Sequence, residues 1–279
     1  MPPDRPLKRG RLLIYRHPVV VRVTHWLNLF SMVVLLLSGL QILCSHPAFY
    51  WGDVARFAHP FAAVTSETGA DGEPRGQLTA PGLRIDTTGV LGASKDADGQ
   101  MSARAFPSWL TLPSELDLGA GRRWHFFFAW MFALNGGLYL LYGLVSRRLP
   151  RELVPTGSQM AHIGGAILDH IRLRFPHGQE ARHYNVLQKL AYLPVVFGLL
   201  PLMVLTGLAM SPAIDARFHF LTIMLGGRQS ARTLHFLSAS VLVVFAVVHV
   251  VMVILAGPLN ELRSMITGWF VIKPEETAP

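Results

Sequence analysis

Two histidines on one apolar segment, His235 and His249, have the residue type and spacing needed to bind cofactors. The segment Thr233–Gly257 contains no charged residue and is long enough to cross a bilayer. At about 100° and about 1.5 Å per residue, the two side chains share one helix face and lie roughly 21 Å apart along the axis. Ionisable side chains inside a membrane mark ligand sites or transfer pathways. The spacing therefore predicts two stacked haems, each taking one axial ligand from this helix.

The composition indicates a membrane protein. Charged residues make up only 15% of the chain and hydrophobic ones 51%, whereas soluble domains carry about 25% charged residues. Four runs are long enough to span a membrane, at about 24–44, 124–144, 190–210 and 233–257. Pro194 and Pro201 interrupt the third run, which a packed membrane helix tolerates. We predict an all-α membrane protein: one domain over 1–279, a bundle of four transmembrane helices enclosing two b haems.

The charge distribution predicts the orientation. The N-terminal tail, the 146–189 loop and the C-terminal tail hold 15 Lys and Arg against 7 Asp and Glu, whereas loops 45–124 and 211–232 hold 10 of each. The positive-inside rule therefore predicts a bacterial inner-membrane protein with both termini in the cytoplasm and a periplasmic insert at 45–123. A basic patch beside four spans gives little support to nucleic-acid binding.

The first apolar run also follows a basic N-terminus, as in a signal peptide. It is too long for a typical signal sequence and lacks a clear cleavage site, so we expect it to be retained. The only cysteine, Cys44, excludes an intramolecular disulfide and a covalent haem attachment motif. Any haem is therefore held by coordination.

Two further histidines match the first two in depth. With the N-terminus inside, His25 lies at the cytoplasmic depth of His249, and His125 lies at the periplasmic depth of His235. These pairs, His25/His249 and His125/His235, can each ligate one haem iron from both sides, an arrangement suited to electron transfer. A single histidine at a helix end is more often an interfacial or capping residue, and the matched depths favour the ligand interpretation. We expect most of the other eight histidines to be solvated in tails and loops.

Glycines and arginines near the depths of the two histidine pairs can each be interpreted in two ways. Gly39 and Gly136 follow His25 and His125 on nearly the same helix faces. They either admit a porphyrin close to the backbone or reflect ordinary packing of membrane helices. Arginines near the interfaces bind haem propionates or anchor the membrane edge. The strongest candidate is Arg232, and the others are Arg122, Arg123 and Arg228 outside and Arg16, Arg22 and Arg263 inside.

Three segments resemble the bacterial dihaem cytochrome b561-type membrane subunits. They are RHPVVVRVTHWLNLFSMVVLLLSGL, GRRWHFFFAW and RTLHFLSASVLVVFAVVHVVM. That family includes the b-type cytochromes of nickel–iron hydrogenase, formate dehydrogenase and thiosulfate reductase. The resemblance implies that the fourth helix gives one ligand to each haem and that the first two helices give one each, at His25, His125, His235 and His249. Further segments resemble a subgroup associated with a molybdopterin-dependent oxidoreductase: YNVLQKLAY, LPLMVLTGLAMSP, GGRQSARTLHF and RSMITGWFVI.

The long connection between the first two helices departs from a simple loop. It has aromatic pieces around a Gly- and Asp-rich middle, and LRIDTTGVLGAS within it has the pattern of a short strand or hairpin. The segment is either a disordered insert or, as its aromatic residues favour, locally ordered on the membrane or against a partner.

The sequence predicts electron transfer between membrane quinone, or quinol, and a partner oxidoreductase subunit, through two haem b groups in a lipid-embedded bundle. By family resemblance we expect quinone near the cytoplasmic haem. Tyr184, Asn185, Gln188 and Lys189 supply polar groups at the cytoplasmic end of the third helix, but polar residues are common at a membrane edge and do not define a quinone site. One alternative is a stand-alone haem b quinone oxidoreductase that reacts directly with a small molecule. Another is a transporter that uses the histidines as a proton relay.

Overall fold

The computed structural model describes residues 2–7, 10–96, 98–172 and 185–272. Within these ranges, four helices are long and apolar enough to cross a membrane: Val19–Leu43, Leu118–Val145, Val186–Met210 and Arg228–Ala256. We call them the first to fourth spans. Each begins four to six residues before the apolar run that predicted it. Helical hydrogen bonding continues through the polar interface beyond the hydrocarbon core, where charged residues are tolerated. The four candidate spans are confirmed and the described chain is mostly helical, but it is not all-α, because three antiparallel sheets accompany the helices.

The third span changes its helical winding in the middle. It is α-helical over Val186–Pro194, widens to a π-helix over Val195–Leu199, and resumes as an α-helix over Leu200–Met210. Proline lacks an N–H, and its ring clashes with the carbonyl four residues before it. The wider turn between Pro194 and Pro201 is how the helix continues past both prolines.

The described chain forms two compact units, and each unit contains one end of every span. Unit 1 comprises residues 1–27, 135–201 and 240–279, and unit 2 comprises residues 28–134 and 202–239. His25 and His249 belong to unit 1, whereas His125 and His235 belong to unit 2.

Unit 1 joins the two tails of the chain. A three-stranded antiparallel sheet, the terminal sheet, consists of Arg5–Pro6, Leu12–Tyr15 and Trp269–Ile272. Tyr15 pairs with Trp269 and Leu12 with Ile272, so the N-terminal and C-terminal tails lie at the same end of unit 1. The shorter helices of this unit are Arg148–Leu153, Gly157–Ala161, Ile163–Ile171 and Pro258–Thr267.

Unit 2 contains an ordered insert after the first span. Its four-stranded antiparallel insert sheet consists of Ala48–Phe49, Ala62–Thr68, Pro74–Ala80 and Leu83–Asp86. A separate hairpin pairs Ala93–Lys95 with Met101–Ala103. The segment LRIDTTGVLGAS therefore begins as an edge strand and ends in the hairpin. Short helices complete the unit at Ser108–Leu110, Pro212–Asp215 and Phe220–Met224.

A small apolar core ties the insert to the first span. Leu43, at the end of that span, packs with Phe49, Val64, Ala105 and Phe106. Burial of these aromatic and aliphatic side chains stabilises the insert. The described residues of the insert are therefore ordered, and the interpretation of a disordered insert does not apply to them.

The insert is also hydrogen-bonded to the start of the fourth span. Thr233 Oγ1 donates to the Tyr50 carbonyl at 2.7 Å, and the Gly52 N–H donates to Ser230 Oγ at 2.8 Å. These bonds fix the backbone immediately before His235.

Candidate functional site

The structure brings the four histidines together in the same two pairs that their depths predicted. The ring centres of His25 and His249 are 6.4 Å apart, and those of His125 and His235 are 6.3 Å apart. Two imidazoles bound to one metal ion at about 2.0 Å per bond, with about 1.1 Å more to each ring centre, place the centres about 6.2 Å apart. Both pairs therefore have the separation that a shared six-coordinate iron requires. Their role as ligands stays a prediction.

The His125–His235 pair is held by two buried hydroxyl groups. Ser38 Oγ lies 3.1 Å from His125 Nδ1, and Thr206 Oγ1 lies 2.9 Å from His235 Nδ1. Ser38 and Thr206 are completely buried. Because the Nδ1 atoms are engaged, the Nε2 atoms of this pair are the nitrogens left for a metal.

The His25–His249 pair is surrounded by aromatic rings. The Phe245 ring stacks on His249 with an interplanar angle of 17° and centres 6.1 Å apart. Tyr192, on the third span, meets His249 edge to face at 6.5 Å, and Trp26 meets His25 in the same manner at 5.6 Å. Packing against rings restricts imidazole rotation without specifying one hydrogen-bond acceptor.

Two glycines give the imidazoles of unit 2 their space. A Cβ added at Gly39 would lie 3.2 Å from His125 Cε1, and one at Gly207 would lie 3.6 Å from His235 Cε1. Gly39 thus admits an imidazole, a role that neither of its two sequence interpretations included. At Gly136 an added Cβ meets no atom within 4 Å, so the surrounding space is open to a porphyrin or to lipid.

Two of the seven arginines proposed to bind haem propionates, Arg232 and Arg263, have partners within the protein. Arg232 donates to the His46 carbonyl, and its guanidinium lies 5.8 Å from the centre of the Phe49 ring. Arg263 Nη2 donates to Asn260 Oδ1 at 2.5 Å. Each guanidinium has further N–H groups, so the propionate role stays a prediction for both.

Unit 1 contains buried arginine nitrogens that lack an acceptor. The Nε atoms of Arg22, Arg148 and Arg263 are buried without a hydrogen-bond partner among the described residues. A buried charged donor without an acceptor is costly. Anionic carboxylates, such as haem propionates, would satisfy such donors, so these side chains fit the predicted cofactor.

The polar residues at the start of the third span have structural contacts. Asn185 Oδ1 accepts from the Leu187 N–H, and Gln188 Oε1 accepts from the Asn185 N–H, which forms a capping box. Lys189 is only 4% exposed and donates to the Val154 carbonyl and to Gln159 Oε1. These contacts give Asn185, Gln188 and Lys189 a structural role. Tyr184 lies outside the described residues.

The other histidines differ in burial. His59, His162 and His219 are exposed, as expected. His17 is instead 6% exposed, and burial with the nearby Arg16 and Arg148 lowers its pKa to about 3. Burial, together with the Arg232 guanidinium, also lowers the pKa of His46, which stacks on Tyr50. His177 and His183 lie outside the described residues, as does the side chain of His170.

Sequence reasoning missed Ser38, Thr206, Tyr192 and Phe245, since hydroxyl and aromatic residues are common in membrane helices. One signal could have identified the first two: each lies in a Leu–hydroxyl–Gly–Leu tetrapeptide, LSGL at 37–40 and LTGL at 205–208.

Comparisons with known proteins give two matches to the sequence of this chain. The family described as prokaryotic cytochrome b561 matches residues 88–268, about two thirds of the chain, including three of the four histidines. A protein of Azospira oryzae is 29% identical over 252 residues, covering 90% of this chain and 96% of its own length. It carries the name YedZ1 and the description protein-methionine-sulfoxide reductase subunit. No solved structure matches the chain significantly.

Proposed function

Since the chain belongs to the prokaryotic cytochrome b561 family, a family of haem-binding membrane electron-transport subunits, we propose that it is a dihaem subunit of an oxidoreductase. In this role it transfers electrons across the membrane between the quinone pool and a partner subunit. The observation that carries the proposal is the pair of bis-histidine arrangements, at 6.4 Å and 6.3 Å between ring centres.

The residues of the chain have defined roles in this proposal. His25 and His249 hold one b haem in unit 1, and His125 and His235 hold the other in unit 2. A b haem supplies reversible one-electron transfer at its iron. With both imidazoles of a pair bound, a haem iron would have no open position for oxygen or substrate, so these histidines would restrict it to electron transfer. The buried arginine donors of unit 1 would bind propionates and reduce their cost of burial.

The charge distribution supports a position in the bacterial inner membrane with unit 1 at the cytoplasmic face. The tails that pair in the terminal sheet, together with the 146–189 loop, carry the excess of basic residues. In this orientation the insert of unit 2 lies in the periplasm. Its exposed aromatic residues, among them Trp109 and Phe57, are available there to a partner or to the membrane interface.

The Azospira relative supports a partner subunit, because its description names it as a subunit of a reductase. We propose a molybdopterin-dependent partner on the periplasmic side, in agreement with the subgroup motifs. In the proposed inner-membrane location quinone or quinol is the proposed exchangeable carrier, near the cytoplasmic haem.

Purification from the native membrane in mild detergent tests the proposal. We expect two acid–acetone-extractable b haems per chain, low-spin spectra, and a co-purifying oxidoreductase subunit. One haem per chain would contradict the dihaem function. Two haems without any co-purifying subunit, combined with direct turnover of a small molecule, would favour the stand-alone enzyme. A protein without haem bands would favour the transporter.

A further inference from the structure

Ser38 and Thr206 make the same contact on two different spans. Each hydroxyl is completely buried, lies within 3.1 Å of the Nδ1 of a histidine, and directly precedes a glycine next to that ring. The surrounding tetrapeptides, LSGL and LTGL, also correspond. Because the same arrangement occurs at both His125 and His235, we expect the two hydroxyls to have the same role.

The hydrogen bonds define which atom carries the proton. Ser38 Oγ donates to the Val34 carbonyl at 2.6 Å, and Thr206 Oγ1 donates to the Leu202 carbonyl at 2.7 Å. A hydroxyl has a single proton, so each oxygen acts as an acceptor toward its histidine. The protons therefore reside on His125 Nδ1 and His235 Nδ1.

A second backbone carbonyl lies near each hydroxyl. The Leu35 carbonyl is 3.4 Å from Ser38 Oγ, and the Met203 carbonyl is 3.1 Å from Thr206 Oγ1. Leu35 and Met203 each lie three residues before their hydroxyl, about one helix turn away. Each imidazole is thus bordered by a hydroxyl that accepts from its Nδ1–H and by a glycine that leaves it space, and we call this hydroxyl and glycine the seat of the imidazole.

We propose that Ser38 and Thr206 are positioning residues that fix the Nδ1–H tautomer of His125 and His235 and lower the reduction potential of the haem these histidines bind. This inference rests on the proposed function. An imidazole that donates from Nδ1 is a more basic ligand at Nε2. A more basic ligand stabilises the ferric state of the iron and lowers its potential.

Redox titration of the purified holoprotein, followed optically, tests the inference. We expect Ser38→Ala and Thr206→Val each to raise the ferrous-to-ferric ratio of one haem component about threefold to tenfold at a fixed ambient potential. A tenfold change corresponds to 59 mV for a one-electron couple. The component that changes is the one lost in His125→Ala, and the other component is expected to stay at its wild-type potential.

Two control variants separate hydrogen bonding from packing. Thr206→Ser retains the hydroxyl and is expected to titrate like the wild type. Ser31→Ala removes another fully buried hydroxyl of the first span, one without a hydrogen-bond partner among the described residues, and is expected to change neither component. Unchanged potentials in both Ser38→Ala and Thr206→Val would overturn the inference, as would equal shifts in Ser31→Ala.

If a Thr206 variant loses its haem, the comparison between Thr206→Val and Thr206→Ser still tests the role of the hydroxyl. If Thr206→Val loses the haem and Thr206→Ser retains it, the hydroxyl is required for ligation and the inference holds. If both lose it, packing is responsible and the inference is wrong. A single component in the wild type would contradict the dihaem function, and its response to Ser38→Ala would still decide the role of the hydroxyl.

Discussion

The two histidine pairs have nearly the same ring separation but opposite surroundings. In unit 2, the hydroxyls of Ser38 and Thr206 accept hydrogen bonds from His125 and His235. In unit 1, the rings of Trp26, Tyr192 and Phe245 pack around His25 and His249. Directional hydrogen bonds fix a tautomer and a ring orientation, whereas ring packing fixes mainly the orientation. The two histidine pairs thus have different surroundings, and under the proposed function this difference would give the two haems different reduction potentials.

Alanine substitution of the four paired histidines is expected to have the largest effect, the loss or conversion of a whole haem component. His249→Ala should remove or convert the same spectral component as His25→Ala, and His235→Ala the same component as His125→Ala, because under the proposed function each pair would share one iron. Reduced-minus-oxidised spectra with haem quantification measure this. Matching spectra for His25→Ala and His235→Ala would contradict the pairing.

Replacing the glycines next to the imidazoles of unit 2 by alanine is expected to have an intermediate effect, measured as haem occupancy. Gly39→Ala brings a methyl group to 3.2 Å from the His125 ring, which must then move by a few tenths of an ångström, whereas Gly207→Ala makes an ordinary 3.6 Å contact with His235. We expect Gly39→Ala to reduce occupancy of the unit 2 haem severalfold and Gly207→Ala to reduce it little. Haem-to-protein ratios of matched preparations test this order, and the reverse order would contradict the seat geometry.

Gly136→Ala extends the same series into unit 1. Its added methyl group meets no protein atom, so a lower haem content in this variant would indicate that a porphyrin lies in the open space. Wild-type haem content would instead favour the interpretation of Gly136 as a packing residue.

The smallest expected effect is on the pH dependence of stability, and it comes from His17 in unit 1. Burial, together with Arg16 and Arg148, lowers the pKa of His17 from 6.5 to about 3. The unfolded chain therefore binds a proton between about pH 6.5 and 3 that the folded chain does not, so stability falls as the pH decreases through this window. Each pKa unit corresponds to about 1.4 kcal/mol at most.

Thermal unfolding of His17→Gln should accordingly show a weaker loss of Tm on acidification than the wild type. The exposed His59 offers the matched control, His59→Gln, with a wild-type slope. Equal slopes for His17→Gln and the wild type would show that proton uptake at His17 does not contribute.

The sequence predicted which histidines pair, whereas it did not predict what surrounds them. Residue spacing in the fourth span and the depths of His25 and His125 predicted which imidazoles meet, because helix periodicity and span direction are local properties. Asn185 and Gln188 form a capping box at the start of the third span, a local motif of residues three apart. Lys189 instead donates to the Val154 carbonyl and to Gln159 Oε1, 35 and 30 residues away in the chain, a contact that periodicity does not predict.

The sequence by itself determined the four spans, the separation of basic from neutral connections, and the common face of His235 and His249. Each of these follows from local composition and from the fixed rise and turn of a helix. Tertiary structure alone decided that Ser38 and Thr206 contact the unit 2 imidazoles, that aromatic rings surround His249, that His17 is buried, and that the insert folds into sheets. These features depend on side chains far apart in the chain, whose approach is set by packing and not by periodicity.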